Sequence, residues 1–173
     1  VMDWAKLREI ALLHKIDDGP SDELVVHFRM GDRHISSENI GEYIESVLAR
    51  ATIIGRVTIV TAIHSHIREH DGNGTSQLSD LIDVLTLEGI EVNVRASDEP
   101  DDDFAFLVRA KHLHTSVGAF SMVAAICCEG EIGHGCKNTR LAYDKYVAIN
   151  RVDSMDEAKR ILKKQLDMNT TNM

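Results

Sequence analysis

The chain has 173 residues, of which 43% are apolar and 27% charged, and its formal net charge is −9. That length fits one domain with a single core, and the apolar share excludes a disordered chain. The acidic balance argues against a nucleic-acid partner, which needs a basic stripe, and no apolar run reaches the roughly 18–20 residues of a membrane span.

The elements follow in chain order. Residues 3–15 carry Trp4, Leu7, Ile10 and Leu13 at helical spacing, and Asp17-Asp18-Gly19-Pro20 stops that helix. The charged start V-M-D-W-A-K-L-R-E shows no signal peptide, and a chain beginning at Val1 is expected to be a piece of a longer enzyme. Residues 23–30 form a short β-rich run ending in the turn Gly31-Asp32. Ser36 or Ser37 caps a helix over 38–51, with Ile40, Tyr43, Ile44, Val47 and Leu48 on one face. A second strand is predicted over 56–63, a loop over 71–74, a helix over 76–88 closed by Gly89, and a third strand over 90–94. A helix over 101–112 opens on acidic residues, as the macrodipole prefers. A short strand over 113–116 leads through Gly118 into a helix over 120–128. The last helix, 155–166, sits behind the Ser154-x-x-Glu157 capping box.

Strands alternating with helices predict a Rossmann-like α/β fold: a parallel sheet of about four or five strands with helices on both faces. Ligands of such sheets sit outside the carboxyl ends of the strands, so attention falls on the turns there.

The first turn carries His27-Phe28-Arg29-Met30-Gly31-Asp32-Arg33. Strand alternation puts His27 and Arg29 on one face, and an arginine offers a fork matched to phosphate oxygens. The fourth turn, Thr115-Ser116-Val117-Gly118-Ala119-Phe120-Ser121, opens a helix whose first N–H groups suit an anion. Two phosphate-compatible elements at one sheet edge point to a diphosphate. Each also has a plainer reading: a surface ion pair for Arg29 and an ordinary helix cap for the serine-glycine turn.

The segment Val25-Val26-His27-Phe28-Arg29-Met30-Gly31-Asp32 resembles the H-x-R-R-x-D motif of fucosyltransferases and protein O-fucosyltransferases. The segment from Asp103 through Thr115-Ser116-Val117-Gly118-Ala119-Phe120-Ser121 is similar to that family's second donor motif. The resemblance implies that the whole chain, 1–173, is the donor-binding half of a GT-B glycosyltransferase. The implied reaction is inverting, metal-independent transfer from a GDP-sugar, fucose-like, to a hydroxyl of a glycan or protein acceptor. Carried over by position, Arg29 would hold the diphosphate and His27 would lie against the nucleotide. Asp103 would pair with the guanine edge, and Ser116, Gly118, Ala119, Phe120 and Ser121 would cradle phosphate. Met30 stands where the family has its second arginine; at a strand end it is expected to pack adaptably, and Met30→Arg is expected to raise the affinity for a GDP-sugar without harm to the fold. Asp32 and Glu38 are the carboxylates nearest the first motif and the candidates for the base, although each also reads as a turn residue or a helix-start charge. No cofactor is expected beyond the donor. A bacterial or viral parent would place the domain in the cytoplasm and a eukaryotic one in the Golgi lumen.

Two alternatives stay open. One is a non-catalytic nucleotide- or glycan-binding module of the same fold. The other is a metal-dependent hydrolase built on His64-Ser65-His66, whose spacing departs from H-x-H-x-D-H because Arg68 stands where the Asp belongs. Cys127, Cys128 and Cys136 show neither a disulfide framework nor C-x-x-C spacing and read as reduced thiols. Asp98-Glu99-Pro100-Asp101-Asp102-Asp103 reads as an acidic loop and helix start rather than a cation site.

Overall fold

The computed structural model describes residues 3–30, 35, 39–61, 72–116 and 118–135. Within them, helices and strands alternate in the order α1 (Trp4–Leu13), β1 (Leu24–His27), α2 (Ile40–Ile54), β2 (Arg56–Val60), α3 (Gly72–Leu87), β3 (Glu91–Arg95), α4 (Pro100–Val108), β4 (His112–Thr115), α5 (Ala119–Cys127) and β5 (Glu131–His134). The five strands form one all-parallel sheet in the order β3-β2-β1-β4-β5. This is the expected Rossmann-like arrangement, and its strand order reverses between β1 and β4.

The sheet is central because β1 is apolar on both faces. Leu24, Val26 and Phe28 join Val57, Ile59, Tyr43, Val47, Leu81 and Leu85 in a core beneath α2 and α3. Val25 points the other way, with Val60, Leu113, Phe106, Leu107 and Ala124, beneath α4 and α5. Ala11, Val108 and Cys127, flanked by Trp4 and Leu7, fasten α1 to that second layer. Each fully buried side chain of this size contributes about 1.5–3 kcal/mol, so the two layers dominate the stability. No helix among the described residues is long and apolar enough to cross a membrane.

Element ends follow from local chemistry. Gly55 ends α2 in the left-handed region at φ 83°, donating its N–H to Ala51 O at 2.7 Å. Pro100 opens α4 with Asp101, Asp102 and Asp103 in its first turn. That helix stops at Val108, four residues short of the expected end. The chain must turn there into β4, and Arg109 and Ala110 tighten the exit by bonding three residues back, to Phe106 O and Leu107 O. Helix α3 starts at Gly72, inside the expected loop, against the low helix propensity of glycine. The expected caps Ser36 and Ser37 and the helix over 155–166 lie outside the described residues.

Strand β5 is not among the elements expected from the sequence. The run Glu131-Ile132-Gly133-His134 carries little β signal because of its glycine, yet it pairs with β4 along its whole length. A Cβ on Gly133 would meet the Arg50 guanidinium and the His114 ring, and one on Gly135 would enter the Tyr43 ring. The glycines that hide the strand in the sequence are what let α2 lie against it. Gly135→Ala should therefore cost about 1–3 kcal/mol, the usual size of an overpacking penalty. Urea unfolding checks this, and a variant as stable as the native chain would refute the packing argument.

Candidate functional site

At the carboxyl end of the sheet β1 and β4 part. On one side the ladder of β1 runs on, with Phe28 N–H donating to Val60 O at 2.9 Å. On the other side the β1–β4 pairing ends at Val26 and His114. Hydroxyls take over beyond that point. Arg29 N–H donates to Ser116 Oγ at 3.2 Å, and Ser116 N–H to Ser121 Oγ at 3.2 Å. The Tyr43 hydroxyl donates to the His27 carbonyl at 3.0 Å. Buried backbone groups are thus satisfied where no neighbouring strand reaches them.

His27 sits in this gap. Its Nδ1 lies 2.5 Å from Ser121 Oγ and 3.1 Å from Ser116 Oγ. The ring packs 5.4 Å from Phe120, which meets Phe104 of α4 at 5.8 Å. Burial, then the nearby Arg29 cation, lowers the imidazole pKa from 6.5 to about 4. His27 is therefore neutral near pH 7.

Arg29 crosses the start of α5. Gly118 caps that helix at φ 110° with no side-chain cap, and a Cβ there would lie 2.9 Å from Arg29 Nη1. Only glycine leaves room for the guanidinium while holding this backbone angle. Arg29 and the Gly118 turn, expected at one sheet edge, are brought together by the fold. The N–H groups of a helix's first turn lack intrahelical partners, so the guanidinium and the helix start present donors side by side. Ala119 is exposed and Phe120 partly buried, while Ser116 and Ser121 are wholly buried.

Other candidates are placed differently. Asp103 is only 4% exposed, and its Oδ1 lies 3.2 Å from Arg95 Nε at the end of β3. Arg95 also lies over the Phe106 ring at 4.7 Å. Burial raises the Asp103 pKa, and Arg95 opposes that shift. Met30 is 9% exposed and belongs to the core under α2 and α3. The expectation that Met30→Arg would raise donor affinity is thereby corrected: Phe28 and Met30 share the core face, opposite His27 and Arg29, and a cation there would be buried among apolar groups. Asp32, Glu38 and the His64-Ser65-His66 loop lie outside the described residues. Cys127 and Cys128 are free thiols, each with its pKa raised by burial, and Cys136 is outside the described residues.

Two contributors were not legible as such. Tyr43, at helical spacing among apolar residues, reads as core, and nothing in the sequence signals that its hydroxyl reaches the His27 carbonyl. Behind it, His114 packs edge-on to Tyr43 at 5.6 Å. Burial, then the Arg50 and His134 charges, lowers its pKa to about 3.

Two imidazoles held neutral in the fold have a definite pH consequence. Each is protonated more readily in the unfolded chain, near its ordinary 6.5, than in the folded one, at about 4 for His27 and about 3 for His114. Unfolding at pH 5–6 therefore takes up protons, so stability is greatest above about pH 6.5 and falls as the pH drops toward 4. The slope should reach at most about 1.4 kcal/mol per pH unit for each histidine. Urea titrations between pH 5 and 7 should show it, with the slope reduced in His114→Gln; a flat profile in the native chain would contradict it. No protein-family model and no curated protein matches the chain, so the functional reading stands on this geometry and on the motif resemblance.

Proposed function

We propose that the chain is the donor-binding half of a fucosyltransferase-like glycosyltransferase and that its site takes a GDP-sugar. The observation that carries the reading is Arg29 lying across Gly118 at the start of α5, at the β1–β4 switch point. A guanidinium beside a helix N-terminus suits a diphosphate, and the switch point is where open α/β sheets hold nucleotides. Gly118, Ala119 and Phe120 at the start of α5 would cradle the phosphates, with His27 against the nucleotide and the buried Ser116 and Ser121 supporting them from behind.

In the reaction so proposed, an acceptor hydroxyl attacks the anomeric carbon as the bond to the diphosphate oxygen breaks. The hydroxyl proton passes to a carboxylate, Asp32 or Glu38 being the candidates, and the configuration inverts. Arg29 and the α5 amides would offset the charge growing on the leaving GDP. No metal is required for that role. A binding module without transfer activity is the second reading, and Met30 favours it, because the residue in the place of the family's second arginine is buried in the core.

Calorimetry with GDP, ADP and UDP tests the proposal. GDP should bind best, with EDTA without effect, and Arg29→Ala should weaken it by about 1.5–3 kcal/mol, the usual worth of a hydrogen bond to a charged group. Unchanged GDP affinity in that variant would overturn the reading. Asp103→Ala separates two roles for the carboxylate that Arg95 holds. If Asp103 accepts from guanine, the GDP preference should fall toward the affinity of ADP and UDP while the fold survives. If it only anchors Arg95 and the α4 start, thermal stability should drop and the preference should persist.

A further inference from the structure

The hydroxyl network around His27 decides which imidazole nitrogen carries the proton. Ser116 Oγ already accepts from Arg29 N–H at 3.2 Å, and Ser121 Oγ from Ser116 N–H at 3.2 Å. Each serine still has its own proton to place. Ser121 is 0% exposed, so solvent does not receive it. Its nearest acceptor among the described residues is His27 Nδ1 at 2.5 Å, against 3.5 Å for Ser116 Oγ. A short approach between a hydroxyl and an imidazole nitrogen fits donation into the nitrogen lone pair. With the proton on Nδ1 instead, the Ser121 hydroxyl would keep only the contact at the limit of hydrogen-bond length. A buried donor left in that state is costly.

We infer that Ser121 holds His27 in the tautomer protonated on Nε2, so that His27 meets its ligand as a hydrogen-bond donor and not as a base. The two hydrogen bonds of the imidazole among the described residues both run through Nδ1, which leaves the Nε2–H for a ligand. The bond made by one ring nitrogen sets the state of the other. Ser116, as buried as Ser121, keeps its own proton inside the network, with Ser121 Oγ at 3.5 Å, so the Nε2–H is what the imidazole offers a ligand. Together with Arg29 and the first amides of α5, this makes a lining of donors. Such a lining selects a fully ionised oxygen acceptor, the phosphate oxygens of the nucleoside diphosphate proposed above, on which this inference rests. It also agrees with a carboxylate as the base: an imidazole already protonated on Nε2 does not take the proton leaving the acceptor hydroxyl there.

Long-range proton–nitrogen correlation spectra of the uniformly 15N-labelled chain report the tautomer directly. The chain has nine histidines, so the His27 signals are assigned by their disappearance in His27→Gln. The expected result at pH 7 is a neutral ring with a protonated Nε2, changing to a mixture of tautomers in Ser121→Ala. Adding GDP should shift the His27 Nε2 resonance. His27→Gln should keep most of the GDP affinity, since its amide oxygen accepts from Ser121 and its nitrogen donates. His27→Ala should lose about tenfold or more. A ring protonated on Nδ1, or an imidazolium, in the free chain overturns the assignment. GDP binding that leaves the Nε2 signal unmoved overturns the donor role. Absence of GDP binding overturns the nucleotide reading alone, because the tautomer is read in the free chain.

Discussion

The parting of β1 and β4 past His27 is the constraint on which the site depends. Two adjacent parallel strands that diverge leave backbone N–H and C=O groups facing a gap, and a buried group without a partner costs about 1–3 kcal/mol. Here the gap opens at the switch point, where the crossover connections leave the sheet in opposite directions. The chain closes the account with side-chain hydroxyls: Tyr43 to the His27 carbonyl, Ser116 to the Arg29 N–H, and Ser121 to the Ser116 N–H. The gap between the two strands can therefore exist without loose backbone around it.

The same hydroxyls hold the chemistry in place. His27 and Arg29 leave β1 on one face, and the serines that satisfy the backbone also grip the imidazole. Gly118 gives the guanidinium a floor at the start of α5. A protein of net charge −9 thus concentrates hydrogen-bond donors at one point of its sheet edge. On the proposed reading an anion would sit among these donors, because such interactions strengthen as water is excluded.

Behind the crevice, α2 supplies a second layer of support. Tyr43 is wholly buried between Phe28, His114 and the backbone of Gly135. Arg50 donates to Leu113 O at 2.8 Å and reaches the Glu131 carbonyl at 3.4 Å, tying α2 to β4 and β5. The orientation of the His27 carbonyl is therefore linked to the packing of the edge strand. Gly133 in that strand and Gly135 just beyond it support α2, and through it the end of β1.

The sequence by itself determined the layered fold. Apolar runs of strand length alternating with helical periodicity leave few choices but a parallel sheet covered on both faces, and most elements fall within a few residues of their expected ends. It also placed His27 and Arg29 on one face and put a glycine-serine turn at a helix start, since both follow from local periodicity and turn chemistry. Strand β5, the burial of Met30, the pairing of Asp103 with Arg95 and the reach of the Tyr43 hydroxyl were decided by the tertiary structure. Each depends on a partner distant in the chain: Gly133 and Gly135 on α2, Met30 on the core around Tyr43, Tyr43 on the end of β1. Asp103 is only eight residues from Arg95, but they meet because β3 and α4 fold back on each other. Periodicity reports which face of an element is apolar; which polar atom that face meets is set by the elements packed against it.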